Sequence, residues 1–146
     1  MYSMHKLKTG LVILAAGKGT RMNRAIPKVL VTVGGVPMIL RALAAVEKAG
    51  FKTKPIIVVG YKKESVMRVV GTWANYVWQR RQLGTGHAVA AAKSLLFKKV
   101  DQVIVIYGDH PFTSPNLLRR LVKLRQKTKA AVAMTTVVVP NFLGPR

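Results

Sequence analysis

Leu11-Val12-Ile13-Leu14-Ala15-Ala16-Gly17-Lys18-Gly19-Thr20-Arg21-Met22 is the stretch that decides how this chain is read. Leu11–Ala15 is an apolar run of strand length, and it passes directly into Gly-x-Gly-Thr-Arg-Met. Small residues at Ala15, Ala16, Gly17 and Gly19 let backbone N–H groups approach a phosphate with no Cβ in the way. Lys18 and Arg21 add charge, and an arginine grips two phosphate oxygens at once. Pro27-Lys28 sets a further lysine where proline stiffens the chain. Neither common phosphate motif fits. A Walker loop needs Gly-x-x-x-x-Gly-Lys-Ser/Thr, and the dinucleotide fingerprint needs a third Gly or Ala where Met22 stands. A lone Gly-x-Gly also suits a plain strand-to-helix turn with incidental basic neighbours.

Working outward, short apolar runs alternate with helical stripes. Strands are expected at Leu11–Ala15, Pro55–Gly60, Asn75–Gln79, Gln102–Tyr107 and Ala130–Val139. Several read as nearly continuous Val/Ile, which suits a parallel sheet covered on both faces. Pro37–Ala49 is an amphipathic helix closed by Gly50, and Glu64–Val70 a shorter one. Gly86–Phe97 is alanine-rich and helical. Ser114-Pro115 opens a last helix with a cap and a first-turn proline. That helix is expected to bury Leu117, Leu118, Leu121 and Leu124 and to show Arg119, Arg120, Lys123 and Lys127 to solvent. The alternation predicts a doubly wound α/β sheet, in which ligands bind beyond the carboxyl ends of the strands.

Composition narrows the function. A chain of 146 residues, half of them hydrophobic, is one domain with a packed core. Residues 1–9 are expected to be a flexible segment and 10–146 the domain. The lack of cysteine excludes disulfides and thiolate metal sites, so a metal must be held by oxygen or imidazole. No apolar run approaches the ~18 residues of a membrane span. The run at Leu11–Ala16 is too short for a signal peptide and is cut by Gly17-Lys18-Gly19. A soluble cytoplasmic protein with no membrane partner is expected. Twenty-five Lys and Arg face four acids, a formal charge of +21, so non-specific binding of polyanions follows. The acids are Glu47, Glu64, Asp101 and Asp109. That scarcity leaves little for mechanisms that need paired carboxylates, and only Asp109 stands at the end of a buried strand.

Two further blocks resolve the ambiguity of the loop: Gln82-Leu83-Gly84-Thr85-Gly86-His87-Ala88 and Tyr107-Gly108-Asp109-His110-Pro111. With Leu-x-x-Gly-x-Gly-Thr-x-Met and Pro27-Lys28, they resemble, in order and spacing, the sugar-phosphate nucleotidyltransferases of the MobA-like NTP transferase type. The likeness is greatest to uridylyltransferase members that act on N-acetylglucosamine-1-phosphate. It implies a three-layer α/β sandwich with a mostly parallel sheet, Rossmann-like and GT-A-like, here truncated at its C-terminal side. It also implies transfer of a nucleotidyl group from a nucleoside triphosphate, UTP favoured, to a sugar-1-phosphate with release of pyrophosphate.

By the same resemblance, Leu14, Ala15, Ala16 and Gly17 line base and ribose, with Lys18, Gly19 and Thr20 completing the loop. Arg21 holds the departing phosphates, and Lys28 neutralises the α-phosphate under attack. Gln79, Gln82, Gly84 and Thr85 meet uracil and ribose, Tyr107 and Gly108 reach the ribose and phosphates, and Asp109 binds Mg²⁺. His87 reads as a packing or hydrogen-bonding histidine, Trp73 and Trp78 as packing residues, and His110 has no assigned role. Arg80-Arg81 departs from the family pattern, where small or acidic residues precede the glutamine. The family's acceptor-binding segments have no match in this chain, so its isolated activity is expected to be low. A strand edge near Ala130–Val139 is expected to be uncovered and to invite self-association. Two other readings stay open: a non-catalytic nucleotide- or nucleic-acid-binding module, and a nucleotidyltransferase for another base or acceptor.

Overall fold

The computed structural model describes residues 7–19, 26–136 and 138. Four parallel strands form the sheet: β1 (Thr9–Ala15), β4 (Ile56–Val59), β5 (Asn75–Trp78) and β6 (Gln102–Tyr107), in the order β5-β4-β1-β6. The chain therefore steps outward from β1 to β4 and β5, then returns to the other side of β1 for β6. Val12 is level with Ile56 on one side and with Val105 on the other.

Alternation along the strands sorts the core into two layers. Leu11, Ile13, Ile57, Ile104 and Ile106 point to one face. There they meet α1 (Met38–Lys48), α2 (Lys63–Val70) and α5 (Pro115–Thr128) through Ile39, Leu43, Val66, Val70 and Leu118. Val12, Leu14, Ile56 and Val58 point to the other face, against Ala88 of α3 (Thr85–Ala91) and Leu96 of α4 (Lys93–Leu96). The layered α/β sandwich is thus as expected, with strands within a residue or two of their anticipated ends.

The differences have local causes. Gly86–Phe97 is not one helix: the chain breaks at Ala92 between α3 and α4. Among the described residues β6 is an edge strand, the layer of α3 and α4 packs on β1 and β4, and Val103, Val105 and Tyr107 are exposed. Among the described residues β6 is therefore covered on one face rather than two. Because α5 packs over that edge, only Leu118 of its stripe is buried. Leu117 and Leu121 are half-buried and Leu124 is exposed. Arg119, Arg120, Lys123 and Lys127 face solvent as expected. Ser114 stands at the N-cap position with extended backbone, but its hydroxyl makes no capping hydrogen bond. Residues 130–136 form no strand. They run past β6 and α5 and leave a groove of about 720 Å³ between them. A β-branched run forms a strand only with a partner ladder, and here β6 is not engaged by it.

β1 begins at Thr9, one residue inside the segment expected to be flexible, and the Lys8 N–H donates to Asp101 Oδ2 at 2.7 Å. A small hairpin, β2 (Thr32–Val33) and β3 (Val36–Pro37), was not anticipated from the sequence. Its two turn residues, Gly34 and Gly35, both have positive φ, the conformation that a tight two-residue turn requires. No helix among the described residues is long and apolar enough to cross a membrane.

Candidate functional site

The carboxyl ends of β1, β5 and β6 open onto one pocket of about 300 Å³. Strand order reverses between β1 and β6, so the pocket lies at the switch point where such sheets bind ligands. Its floor is the backbone of Leu14, Ala15, Ala16 and Gly17 leaving β1, joined by Gly19. Gln79 enters from the end of β5, Gln82, Gly84 and Thr85 from the start of α3, and Tyr107 and Asp109 from the end of β6. Lys28 closes the far side, at the head of a short 3-10 turn, Lys28–Leu30, preceded by buried Pro27.

The loop after β1 is held by its neighbours. The Ala16 carbonyl accepts from Gln82 Nε2 at 2.6 Å and from the Tyr61 N–H at 3.3 Å. Gln82 thus spends its amide nitrogen on the loop. Gly19 has φ +65°, and a Cβ there would come within 2.9 Å of the Lys28 Cβ. Its smallness lets Lys28 pack against the loop. Gly17, by contrast, has open space where a Cβ would be.

One end of the pocket is charged. Lys28 Nζ lies 2.6 Å from Asp109 Oδ2, with side chains 42% and 22% exposed. Asp109 is the only one of the four acids in the pocket lining. Among the described residues no three His, Cys, Asp or Glu cluster as a metal cage. A lone carboxylate fits a hard cation that keeps several waters and shares the phosphate oxygens of its ligand, as Mg²⁺ does. The other end is neutral. Gln79 is 4% exposed, and its Nε2 donates to the Gly84 carbonyl at 3.1 Å and meets His87 Nδ1 at 2.9 Å.

Most of the residues anticipated from the sequence therefore converge. Two do not reach the lining: Lys18, which is exposed, and Gly108, which sits behind it. The Gly108 N–H extends the β1–β6 ladder by donating to the Leu14 carbonyl at 2.9 Å. Thr20 and Arg21 lie outside the described residues. Val29 and Ala88 line the pocket without having been anticipated. Both adjoin motif residues, which was the available signal. Arg80 and Arg81 stay out of the lining. Arg80 instead stacks on Trp78, with its guanidinium carbon 4.9 Å from the ring centre, and Lys63 Nζ lies 3.6 Å from the same ring.

Residues 11–140 match the model of the MobA-like NTP transferase domain. A protein from Heliobacterium modesticaldum named "Bifunctional protein GlmU" is 41% identical over 141 residues, which is 97% of this chain and 30% of that protein. The chain thus spans about a third or less of the length of that relative. Among solved structures, a UDP-glucose pyrophosphorylase complexed with UDP-glucose superposes with a TM-score of 0.67 at 24% identity, covering 84% of this chain and 54% of its own. A Mycobacterium tuberculosis protein in complex with manganese superposes with a TM-score of 0.66 at 21% identity, covering 80% of this chain and 59% of its own.

Proposed function

The chain belongs to the MobA-like NTP transferase domain family, and on that premise we propose that its pocket binds a nucleoside triphosphate, UTP preferred, together with Mg²⁺. The observation that carries this reading is the meeting of a basic group and a lone carboxylate, Lys28 and Asp109, with the β1 loop and Gln79 around a single pocket. The reaction proposed is nucleotidyl transfer to a sugar-1-phosphate, N-acetylglucosamine-1-phosphate in particular. A phosphate oxygen of the sugar attacks the α-phosphorus, the bond from that phosphorus to the bridging oxygen breaks, and pyrophosphate leaves with the bond's electrons.

Such chemistry asks the protein to position and neutralise more than to react. In this reading the backbone of Leu14–Gly17 and the Gln79–Gly84 end hold the nucleoside. Lys28 offsets the charge at the α-phosphate. Arg21, by resemblance, holds the departing phosphates. Asp109 is the residue that would hold the cation, and a bound cation would withdraw charge from the phosphates. The preference for uridine and for a sugar-1-phosphate acceptor follows from the sequence resemblance to the uridylyltransferase members of the family.

Titration calorimetry with the four ribonucleoside triphosphates, with and without Mg²⁺, tests the reading. UTP is expected to bind tightest and more tightly with Mg²⁺. Equal or absent binding of all four in both conditions would remove it.

A further inference from the structure

His87 is a residue that the functional reading leaves unused, and it touches the most buried polar side chain in the pocket. Gln79 is 4% exposed and its backbone N–H is anchored to the Val59 carbonyl at 2.8 Å. Its amide could in principle face either way, since oxygen and nitrogen are alike in shape. Two neighbours remove that freedom. The Gly84 carbonyl, 3.1 Å away, is an acceptor only, so the atom facing it must be the NH₂ group. The same NH₂ lies 2.9 Å from His87 Nδ1, which must then be the unprotonated ring nitrogen. Both amide hydrogens are thus spent. Oε1 takes no hydrogen bond among the described residues.

We infer that His87 is a positioning residue for base selection: its Nδ1 locks the Gln79 amide so that an acceptor, Oε1, and not a donor, meets the base. This rests on the proposal that the pocket binds a nucleotide. Uracil presents N3–H, a donor that Oε1 accepts. Cytosine presents a bare N3 lone pair at the same place, which Oε1 repels and an NH₂ group would welcome. Flipping the amide would therefore reverse the preference. With His87 in place, the flip sets Oε1 against the Gly84 carbonyl and also forces the imidazole proton from Nε2 onto Nδ1. Without His87, only Gly84 resists it. His87 acts at a distance from the phosphates, so it should alter which base binds and leave the metal effect alone.

The test is the ratio of UTP to CTP affinity, measured by calorimetry on the whole chain in Mg²⁺, for wild type, His87→Ala and His87→Asn. His87 is exposed on α3, so alanine is readily accommodated. Asparagine returns an acceptor oxygen near the place of Nδ1. The loss of one neutral hydrogen bond predicts that His87→Ala lowers the ratio about three- to tenfold. His87→Asn is expected to keep it near wild type, and the gain in affinity on adding Mg²⁺ is expected to be equal in all three. A wild-type ratio in His87→Ala overturns the inference, as does an equal fall in both variants. No preference for UTP in the wild type sinks the functional reading itself, a result distinct from either.

Discussion

The two ends of the pocket are built from opposite materials. At one end Lys28 and Asp109 meet as an ion pair, 42% and 22% exposed, with the lysine carried on a short 3-10 turn. At the other end Gln79 is 4% exposed, neutral, and fastened by its backbone and by both amide hydrogens. Exposed charges attract strongly but locate loosely, and salt screens them. A buried hydrogen-bonded amide attracts little, yet a wrong partner leaves it unsatisfied, which is how sites discriminate. On the proposed reading, the contrast assigns affinity to the phosphate end and selectivity to the base end. It is open to attack by variants that touch only one of them.

The largest separation is expected from Lys28→Ala. A charge-assisted hydrogen bond contributes about 1.5–3 kcal/mol, so UTP affinity should fall roughly ten- to a hundredfold. Uridine, which carries no phosphate, should bind the variant and the wild type alike. Calorimetry with both ligands reads this directly. An equal loss for uridine would mean that the two ends do not act separately.

How far this division could be read without coordinates differs along the chain. Strands β1, β4, β5 and β6 are short, strongly apolar and bounded by polar or glycine-containing stretches, so periodicity located each within a residue or two. Asp109 could be placed from its position at the end of a buried strand, whereas Gln79, Gly84 and Tyr107 were legible as site residues only through the family resemblance. What could not be read was anything set by neighbours distant in sequence. Val103, Val105 and Tyr107 are as apolar as buried strand residues, yet among the described residues the layer of α3 and α4 packs on β1 and β4 and they are exposed. Residues 130–136 have strand-like composition, but pairing is a tertiary event and β6 does not engage them. The Gln79–His87 contact lies in the same class. The spacing from 79 to 87 carries no pattern, and the two meet because Gly84 turns the chain between β5 and α3.

The loop itself offers a smaller test of how Lys28 is held. Gly19 and Gly17 look equivalent in Gly-x-Gly, yet only Gly19 has positive φ and a side chain pressed against it. Gly19→Ala adds a Cβ in a left-handed conformation, which costs about 1–2 kcal/mol, and crowds the Lys28 Cβ at 2.9 Å. Gly17→Ala meets open space and should stay within about 0.5 kcal/mol of wild type. Urea unfolding measures both. Equal costs would show that the loop does not brace Lys28 as described.

The smallest effect is also the one whose sign is least obvious. Asp109→Asn removes the lone carboxylate of the pocket, so the strengthening of triphosphate binding by Mg²⁺ should disappear. Without Mg²⁺, however, the same variant should bind UTP more tightly than wild type. In the wild type Lys28 Nζ is engaged 2.6 Å from Asp109 Oδ2, and a triphosphate must draw it away while tolerating an unscreened carboxylate beside its own charge. The pair is partly exposed, so breaking it costs only about 0.2–1 kcal/mol. Adding the repulsion that asparagine relieves, the gain should be a few-fold, largest in low salt and shrinking as ionic strength rises. Uridine binding should not change in either condition. Calorimetry in chelator at two salt concentrations separates the outcomes. Weaker metal-free UTP binding by Asp109→Asn would mean that Asp109 props Lys28 toward the phosphates instead of competing for it. The phosphate end would then be as preorganised as the base end.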